Sequence, residues 1–197
     1  MQWGLVSTRQ AEAAGVPRLQ LSRLAQRGLL ERVAQGVYRV AGAPESQHQA
    51  ILAAWLALAD PTRPSALVVG GAAAAQLHGI GQLWRQTIDL LVPERRRSRR
   101  EGVRFRRVRL GDDEIITTHG VPTLTPAATI ADLLEQGESP DNVADAAIDA
   151  LGLGIATGAQ IRQAVAARVK DVEMQRMLAQ AVEERLRGRS PISTLAA

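Results

Sequence analysis

The sequence predicts an α+β protein with an N-terminal winged helix-turn-helix, then a small mixed sheet flanked by helices, then a helical C-terminal region. Three observations support this fold class. Two short amphipathic helices and a hairpin are predicted between Leu5 and Gly42, short apolar strands recur between residues 67 and 124, and helical periodicity with capping signals follows Thr125. We therefore divide the chain into residues 1–43 and 44–197, the latter comprising a mixed part (44–124) and a helical part (125–187).

The first two helices are predicted from their boundary residues. Ser7 and Gln10 have the spacing of a capping box, in which each side chain satisfies a backbone N–H at the start of a helix. Gly15 is a natural C-terminal stop for that helix. Pro17 suits the first position of the second helix, where its missing N–H costs nothing, and Gly28 ends that helix.

The second helix is expected to bury Leu21 and Leu24 and to expose Arg and Gln side chains on its other side. A strand pair with a turn at Gln35-Gly36 follows it. In a winged helix-turn-helix, the exposed helix enters the major groove of DNA and the hairpin contacts the flanking backbone. Arg and Gln read guanine and adenine, and the start of a helix favours phosphate. The predicted DNA contacts are Thr8, Arg9, Arg18, Gln20, Arg23, Arg27, Arg32, Gln35 and Arg39. The alternative is an ordinary helix pair with a solvated Arg face.

Composition excludes several classes of protein. Hydrophobic residues make up 46% of the 197, which argues against disorder, while cysteine is absent, which excludes disulfides and thiolate metal sites. The sequence contains neither a run of about 18 apolar residues nor a signal peptide. We therefore expect a cytoplasmic protein without a membrane contact.

Charge is distributed in separate zones. Residues 1–43 carry a net charge of +4, residues 93–110 one of +7 and residues 111–160 one of −9. The second basic zone predicts a further phosphate contact, which would steepen the salt dependence of DNA binding. Its alternative interpretation is a solvated hairpin. This secondary basic patch consists of Arg95, Arg96, Arg97, Arg99, Arg100, Arg104, Arg106 and Arg107.

The rest of the chain is predicted as short strands and helices. The strands fall at 67–69, 87–92, 103–109, 114–118 and 120–124. The helices fall at 44–60, after Gly70-Gly71, from Pro126, and at about 140–151, 157–168 and 171–187.

The acidic zone has two interpretations. Its carboxylates could face a basic protein partner and speed association, or they could form an ordinary solvated helix face. The residues concerned are Asp132, Glu135, Asp141, Asp145 and Asp149.

A catalytic site is not predicted. Gly70-Gly71 followed by Asp89 on a strand is a nucleotidyltransferase-like pattern, but such enzymes need paired carboxylates to hold two metal ions, and a second one is missing. The spacing of His48, His78 and His119 matches no metal motif. We therefore predict no catalytic residue, no metal and no cofactor, and interpret Gly70-Gly71 as a strand–helix junction.

Three segments resemble the AbiEi family of antitoxins from bacterial type IV toxin–antitoxin systems. They are TRQAEAAGV with RLAQRGLLERVAQGVYRVAGAP, VVGGAAAAQLHGI followed by TIDLLVP, and GVPTLTPAATIADLL. The resemblance implies a winged helix that binds inverted repeats in the protein's own promoter, and a C-terminal domain that neutralises a nucleotidyltransferase-type toxin. The alternatives are a transcriptional regulator without a toxin partner and, less favoured, a nucleotidyltransferase-like enzyme.

Overall fold

A computed structural model describes residues 3–83, 85–96 and 100–188 of the chain. Within this part, eight α-helices and eight β-strands form an α+β fold, which confirms the predicted fold class. The residues belong to two compact units. The first extends up to Ala73 and resumes at Arg85–Thr123, whereas the second comprises residues 74–83 and 124–188.

The chain begins with a small three-stranded sheet and two helices, an arrangement compatible with a winged helix. Strand order is β1-β3-β2, and both pairings are antiparallel. The capping box of Ser7 and Gln10 is present, as predicted. Pro17 is the N-cap of the second helix rather than its first residue. The elements are β1 (Leu5–Ser7), α1 (Thr8–Ala13), α2 (Arg18–Gln26), β2 (Leu30–Ala34) and β3 (Val37–Val40).

Ala11, Leu21 and Tyr38 form a small core that holds α1 and α2 against the sheet. Leu21 is buried as predicted, but Leu24 is only half-buried. Because α2 buries only the narrow strip of its surface around Leu21, most of its other side chains are exposed to solvent.

Helix α3 (Gln49–Leu58) begins five residues later than predicted, since Pro44–His48 are not helical. Its inner residues are buried, and the Trp55 indole N–H donates to the carbonyl of Leu67 at 2.7 Å. This bond connects α3 to the chain that enters the second sheet.

The second sheet has five strands in the order β6-β5-β4-β8-β7 and is mixed, as predicted. Strand β4 is antiparallel to β5 and parallel to β8, while β5 and β6 are parallel. Val69, Leu90 and Leu91 are fully buried at the centre of the sheet. The strands are β4 (Val68–Gly70), β5 (Ile88–Val92), β6 (Val103–Arg107), β7 (Ile115–Thr118) and β8 (Val121–Leu124).

The second unit is helical. Small Ala side chains let its helices approach closely, and its core includes Ile130, Leu134 and Val143. Thr125, Ser139 and Thr157 cap three helices, as their sequence positions predict. The helices are α4 (Gly71–His78, which begins in the first unit), α5 (Pro126–Glu135), α6 (Pro140–Gly152), α7 (Gly158–Arg168) and α8 (Val172–Gly188). None of the described helices is long and apolar enough to cross a membrane.

Candidate nucleic-acid interface

The exposed sides of α2 and its C-cap carry polar side chains that have no partner among the described residues. Arg18, Gln20, Arg23 and Arg27 are all exposed. Their side chains make no hydrogen bond or ion pair with any other described residue, although 24 Arg and Lys residues share the chain with 20 acids. Leu21 anchors α2 on the side away from Arg23 and Arg27, so these two are held outward, whereas Arg18, three residues before Leu21, lies on the flank beside it.

The hairpin turn is tied to the start of α1. Gly36, which adopts the left-handed conformation that the turn requires, accepts through its carbonyl from the backbone N–H of Thr8 at 2.8 Å and from the Thr8 hydroxyl at 3.2 Å. Arg32 and Gln35 are exposed next to this turn. Thr8, a predicted DNA contact, is instead buried, and its hydroxyl is used within the protein.

Arg9 is exposed beside Thr8, and its guanidinium donates one hydrogen bond to the carbonyl of Ala59 at 3.3 Å. The bond fixes the side chain while leaving most of its donors available for another partner.

Arg39 departs from the predicted set of DNA contacts. Its side chain is 9% exposed, forms ion pairs with Glu31 and Glu45, and donates to the Gln49 side chain at 3.0 Å. The hydrogen bonds to Glu31 and then to Glu45 raise the pKa of the Arg39 guanidinium. The reason is topological: β3 is the central strand of its sheet, so Arg39 faces neighbours that the linear sequence does not reveal.

The secondary basic patch is divided between paired and exposed side chains. Arg104 makes a two-pronged contact with Asp89, at 2.6 and 2.7 Å, and Arg106 lies 3.3 Å from the same carboxylate. Arg96 donates to the Leu58 carbonyl at 3.1 Å and covers the ring of Phe105 at 4.8 Å. Arg95 and Arg107 are exposed, whereas Arg97 and Arg99 lie outside the described residues.

Arg100 connects the two basic zones, which the sequence presents as separate. Its guanidinium donates to the carbonyl of Gln35 in the hairpin turn at 2.9 Å, across 65 residues of chain. No local pattern predicts this contact.

The nucleotidyltransferase-like pattern has a structural role here. Asp89 is 4% exposed, and the guanidinium groups of Arg104 and Arg106 occupy its two oxygens. Strand β4 ends at Gly70 and α4 begins at Gly71, so these glycines form the predicted strand–helix junction. In the part of the chain that the structure describes, no three His, Asp or Glu side chains are grouped to hold a metal ion.

The histidines make contacts that their spacing did not predict. His78 ends α4 as expected, with Nε2 2.7 Å from the Leu124 carbonyl. His48 is buried, and its ring centroid lies 4.6 Å from that of His119. Burial, and to a lesser extent the nearby charge of His119, lowers the pKa of His48.

Part of the acidic zone is used inside the second unit. Asp132 is fully buried beside Arg168, and Asp149 accepts from the Gly81 N–H at 2.9 Å. Arg185 on α8 holds both Asp141 and Asp145 of α6. Glu135 lies 3.7 Å from Arg168 but is half exposed. Asp132 and Asp149 are thus used inside the unit, whereas the side chains of Glu135, Asp141 and Asp145 remain 47%, 77% and 55% exposed, and for these three both interpretations stay open.

Comparison with known proteins places these observations in a family. No curated protein sequence matches the chain. The crystal structure of the RV2827C protein from Mycobacterium tuberculosis has a similar fold, with a TM-score of 0.53 and 17% identity over 91% of this chain and 71% of that one. Residues 1–41 match the family model described as transcriptional regulator, AbiEi antitoxin. Residues 66–195 match the model of the AbiEi antitoxin C-terminal domain. Since the second match alone spans well over half of the chain, the protein belongs to the AbiEi antitoxin family.

Proposed function

We propose that this protein is the antitoxin of a toxin–antitoxin pair, that it neutralises a nucleotidyltransferase-type toxin, and that it represses its own operon by binding inverted repeats in the promoter. Membership of the family supports the antitoxin and regulator roles. Binding of double-stranded DNA and the type of toxin are our inferences.

The observation that carries the DNA-binding proposal is the unpartnered outer face of α2. Arg18 and Arg23 lie exposed on α2, Arg27 is the exposed C-cap residue that follows, and none of the three has a carboxylate partner among the described residues. Such a face suits the phosphates and base edges of a major groove, in which Arg makes two hydrogen bonds to guanine. Gln20 on the same helix is suited to adenine.

The hairpin provides the second part of the interface. Arg32 and Gln35 flank a turn that is fixed to α1 through Thr8 and Gly36 and is contacted by Arg100. A winged helix places such a hairpin against the backbone that flanks the groove. Within the secondary patch, the exposed Arg95 and Arg107 are the residues we assign to phosphate contacts, because Arg104 and Arg106 already form ion pairs with Asp89.

The toxin-neutralising role is assigned to the C-terminal part, on the basis of the family model that covers residues 66–195. Asp132 and Asp149 are engaged inside the second unit, so the acidic-zone carboxylates that remain exposed for a toxin contact are those of Glu135, Asp141 and Asp145, each in an ion pair.

An electrophoretic shift with the chain's own upstream DNA tests the first role. We expect binding at low salt, and a loss of about tenfold or more in affinity for Arg18→Ala and for Arg23→Ala, since each removes a charge-assisted contact. Arg162→Ala is the matched control, because Arg162 is also exposed and unpaired among the described residues but lies on α7. Absence of a shift, or equal losses in all three variants, contradicts the proposal.

Co-expression with the product of the neighbouring gene tests the second role. We expect that product to be a nucleotidyltransferase whose toxicity the full-length chain suppresses. The DNA-binding variant Arg23→Ala should retain this suppression. If the neighbouring protein is not of this class, or if its toxicity persists, the alternative of a regulator without a toxin is favoured.

A further inference from the structure

A cleft of about 470 Å³ opens in the first unit between α1, α2 and the β2–β3 hairpin. Its volume lies in the range of small-molecule sites. The residues that characterise it are four arginines and, among its four hydroxyl-bearing side chains, a serine of α2 and a tyrosine of β3, and none of the residues that line it is an Asp or a Glu. They are Arg9, Arg18, Arg32, Arg100, Ser22 and Tyr38.

This absence of carboxylates sets the cleft apart from other arginine clusters in the described chain. Arg39 is matched by Glu31 and Glu45, and Arg104 and Arg106 share Asp89. In the second unit, Arg168 and Arg185 are likewise each matched by two carboxylates. Guanidinium groups stay protonated at any physiological pH, so arginines gathered around one cavity favour the entry of an anion, even though the charge of Arg9 also interacts with Asp60 outside the cleft.

Donors of three of the four arginines, Arg9, Arg18 and Arg32, are available. Arg18 and Arg32 have no partner among the described residues, and Arg9 donates one hydrogen bond to the Ala59 carbonyl. Arg100 is held by the carbonyl of Gln35, which fixes its position at the wall of the cleft. The guanidinium fork is suited to phosphate, to which it donates two parallel hydrogen bonds.

We propose that this cleft binds a small phosphate-bearing ligand with at least two negative charges, of the class of a nucleoside di- or triphosphate. Two features favour such a ligand over the DNA backbone. First, a phosphodiester of DNA carries one negative charge, whereas four arginines line the cleft. Second, the DNA backbone is a convex surface, whereas the cleft is concave and has the size of a small ligand. A terminal polyphosphate matches both the charge and the volume.

The site has a regulatory consequence that rests on the proposed function. Arg18 and Arg32 belong both to the cleft and to the DNA-contacting set, so a bound polyphosphate and the operator compete for the same guanidinium groups. The ligand would therefore release the promoter.

Titration calorimetry on the full chain, without DNA and at about 0.1 M salt, tests the binding of ATP, GTP, pyrophosphate and inorganic phosphate. We expect saturable binding of the polyphosphates and at least about tenfold weaker binding to Arg18→Gln and Arg32→Gln, since each loses a charge-assisted contact. Arg162→Gln is the matched control. Arg162 on α7 is also exposed and unpartnered among the described residues but does not line the cleft, and we expect a change of less than about twofold.

Three outcomes overturn the inference. They are no saturable binding of any of the four probes to the wild type, equal losses in all three variants, and Arg18→Gln and Arg32→Gln proteins that bind polyphosphate as the wild type does but lose DNA affinity in the electrophoretic shift. The last would identify the cleft as a backbone-phosphate contact. Nucleotide binding by a protein that does not shift its own promoter would instead refute the proposed function and leave the inference standing. Thermal melting of each variant verifies that the exposed substitutions leave the fold intact.

Discussion

Asp132 is fully buried on α5, where its carboxylate lies 3.5 Å from the guanidinium of Arg168 on α7 and accepts from Gln136 at 3.1 Å. A charge in such a place is tolerated only with its partner present. The pair therefore connects two helices of the second unit.

We expect Asp132→Ala to lower the free energy of unfolding by roughly 3 kcal/mol, because it leaves the largely buried Arg168 without its nearest carboxylate. Glu135→Ala is the control, since Glu135 is half exposed and lies 3.7 Å from the same guanidinium. It should cost less than about 1 kcal/mol. Urea unfolding of both variants measures the difference, and equal losses would show that burial of the ion pair is unimportant.

Leu19 presents an apolar side chain, 62% exposed, between Arg18 and Gln20 at the start of α2. The N-terminal residues of a recognition helix contact base edges, and an apolar side chain there suits the methyl group of thymine.

We expect one thymine-to-uracil substitution in the operator to weaken binding by the wild type about fourfold, since a buried methyl group contributes about 0.8 kcal/mol. Leu19→Ala should be insensitive to that substitution. Leu153→Ala, a change at a residue that is 59% exposed in the second unit, should respond as the wild type does. A scan of uracil substitutions that affects Leu19→Ala and the wild type alike would refute the contact.

At the scale of elements, β4 depends on its close approach to β5. A Cβ atom on Gly70 would lie 2.8 Å from both Cγ and Cδ1 of the buried Leu91. Only a change in the χ1 rotamer of Leu91 would move its Cγ, and that side chain is fixed by the packed core around it, so β4 favours a glycine at its end.

We expect Gly70→Ala to destabilise the protein by about 1–3 kcal/mol through overpacking. Gly152→Ala provides the comparison, because Gly152 ends α6 with no atom within 4 Å of the added Cβ and should be neutral or stabilising by about 0.5 kcal/mol. Thermal melts should show a lower melting temperature for Gly70→Ala and an unchanged or higher one for Gly152→Ala, and a stable Gly70→Ala protein would contradict the packing described.

Elements whose boundaries are satisfied locally were predictable from sequence. Four helices have an N-cap side chain that accepts a hydrogen bond from the backbone N–H three residues later, so each cap is formed within four consecutive residues. The N-cap residues are Ser7, Thr125, Ser139 and Thr157. The helices of the second unit consequently begin and end within about two residues of their predicted limits.

Features that depend on distant partners were not predictable. Strand β1 is only three residues long and is stabilised by pairing with β3, more than thirty residues away. The same reason applies to the candidate site. The exposed Arg residues of α2 can be predicted from helical periodicity. The burial of Arg39 depends on the order of strands in the sheet, and the contact between Arg100 and Gln35 depends on tertiary structure, so neither could be predicted.

At the scale of the whole molecule, stability should depend on pH through His48. Burial lowers the pKa of this histidine, whereas in the unfolded chain it titrates near 6.5. The unfolded state therefore binds the proton more readily, and this contribution to stability is complete above about pH 7 and declines as the pH falls below 6.5.

We expect the free energy of unfolding of the wild type to fall between pH 7.5 and pH 5.5, and to fall less in His48→Gln. Chemical unfolding at the two pH values measures the difference. An identical pH dependence in the two proteins would show that His48 takes up its proton as easily in the fold as in the unfolded chain.

Arg39 joins β2 through Glu31, the following loop through Glu45, and α3 through Gln49. These contacts hold the hairpin in place in the free protein, so its conformational entropy is lost during folding and not when a ligand binds. The operator would therefore bind a hairpin that is already ordered, and the entropy of association should come from released counterions and water. Substitutions that break the contacts of Arg39 should weaken DNA binding, although Arg39 itself makes no contact with the duplex.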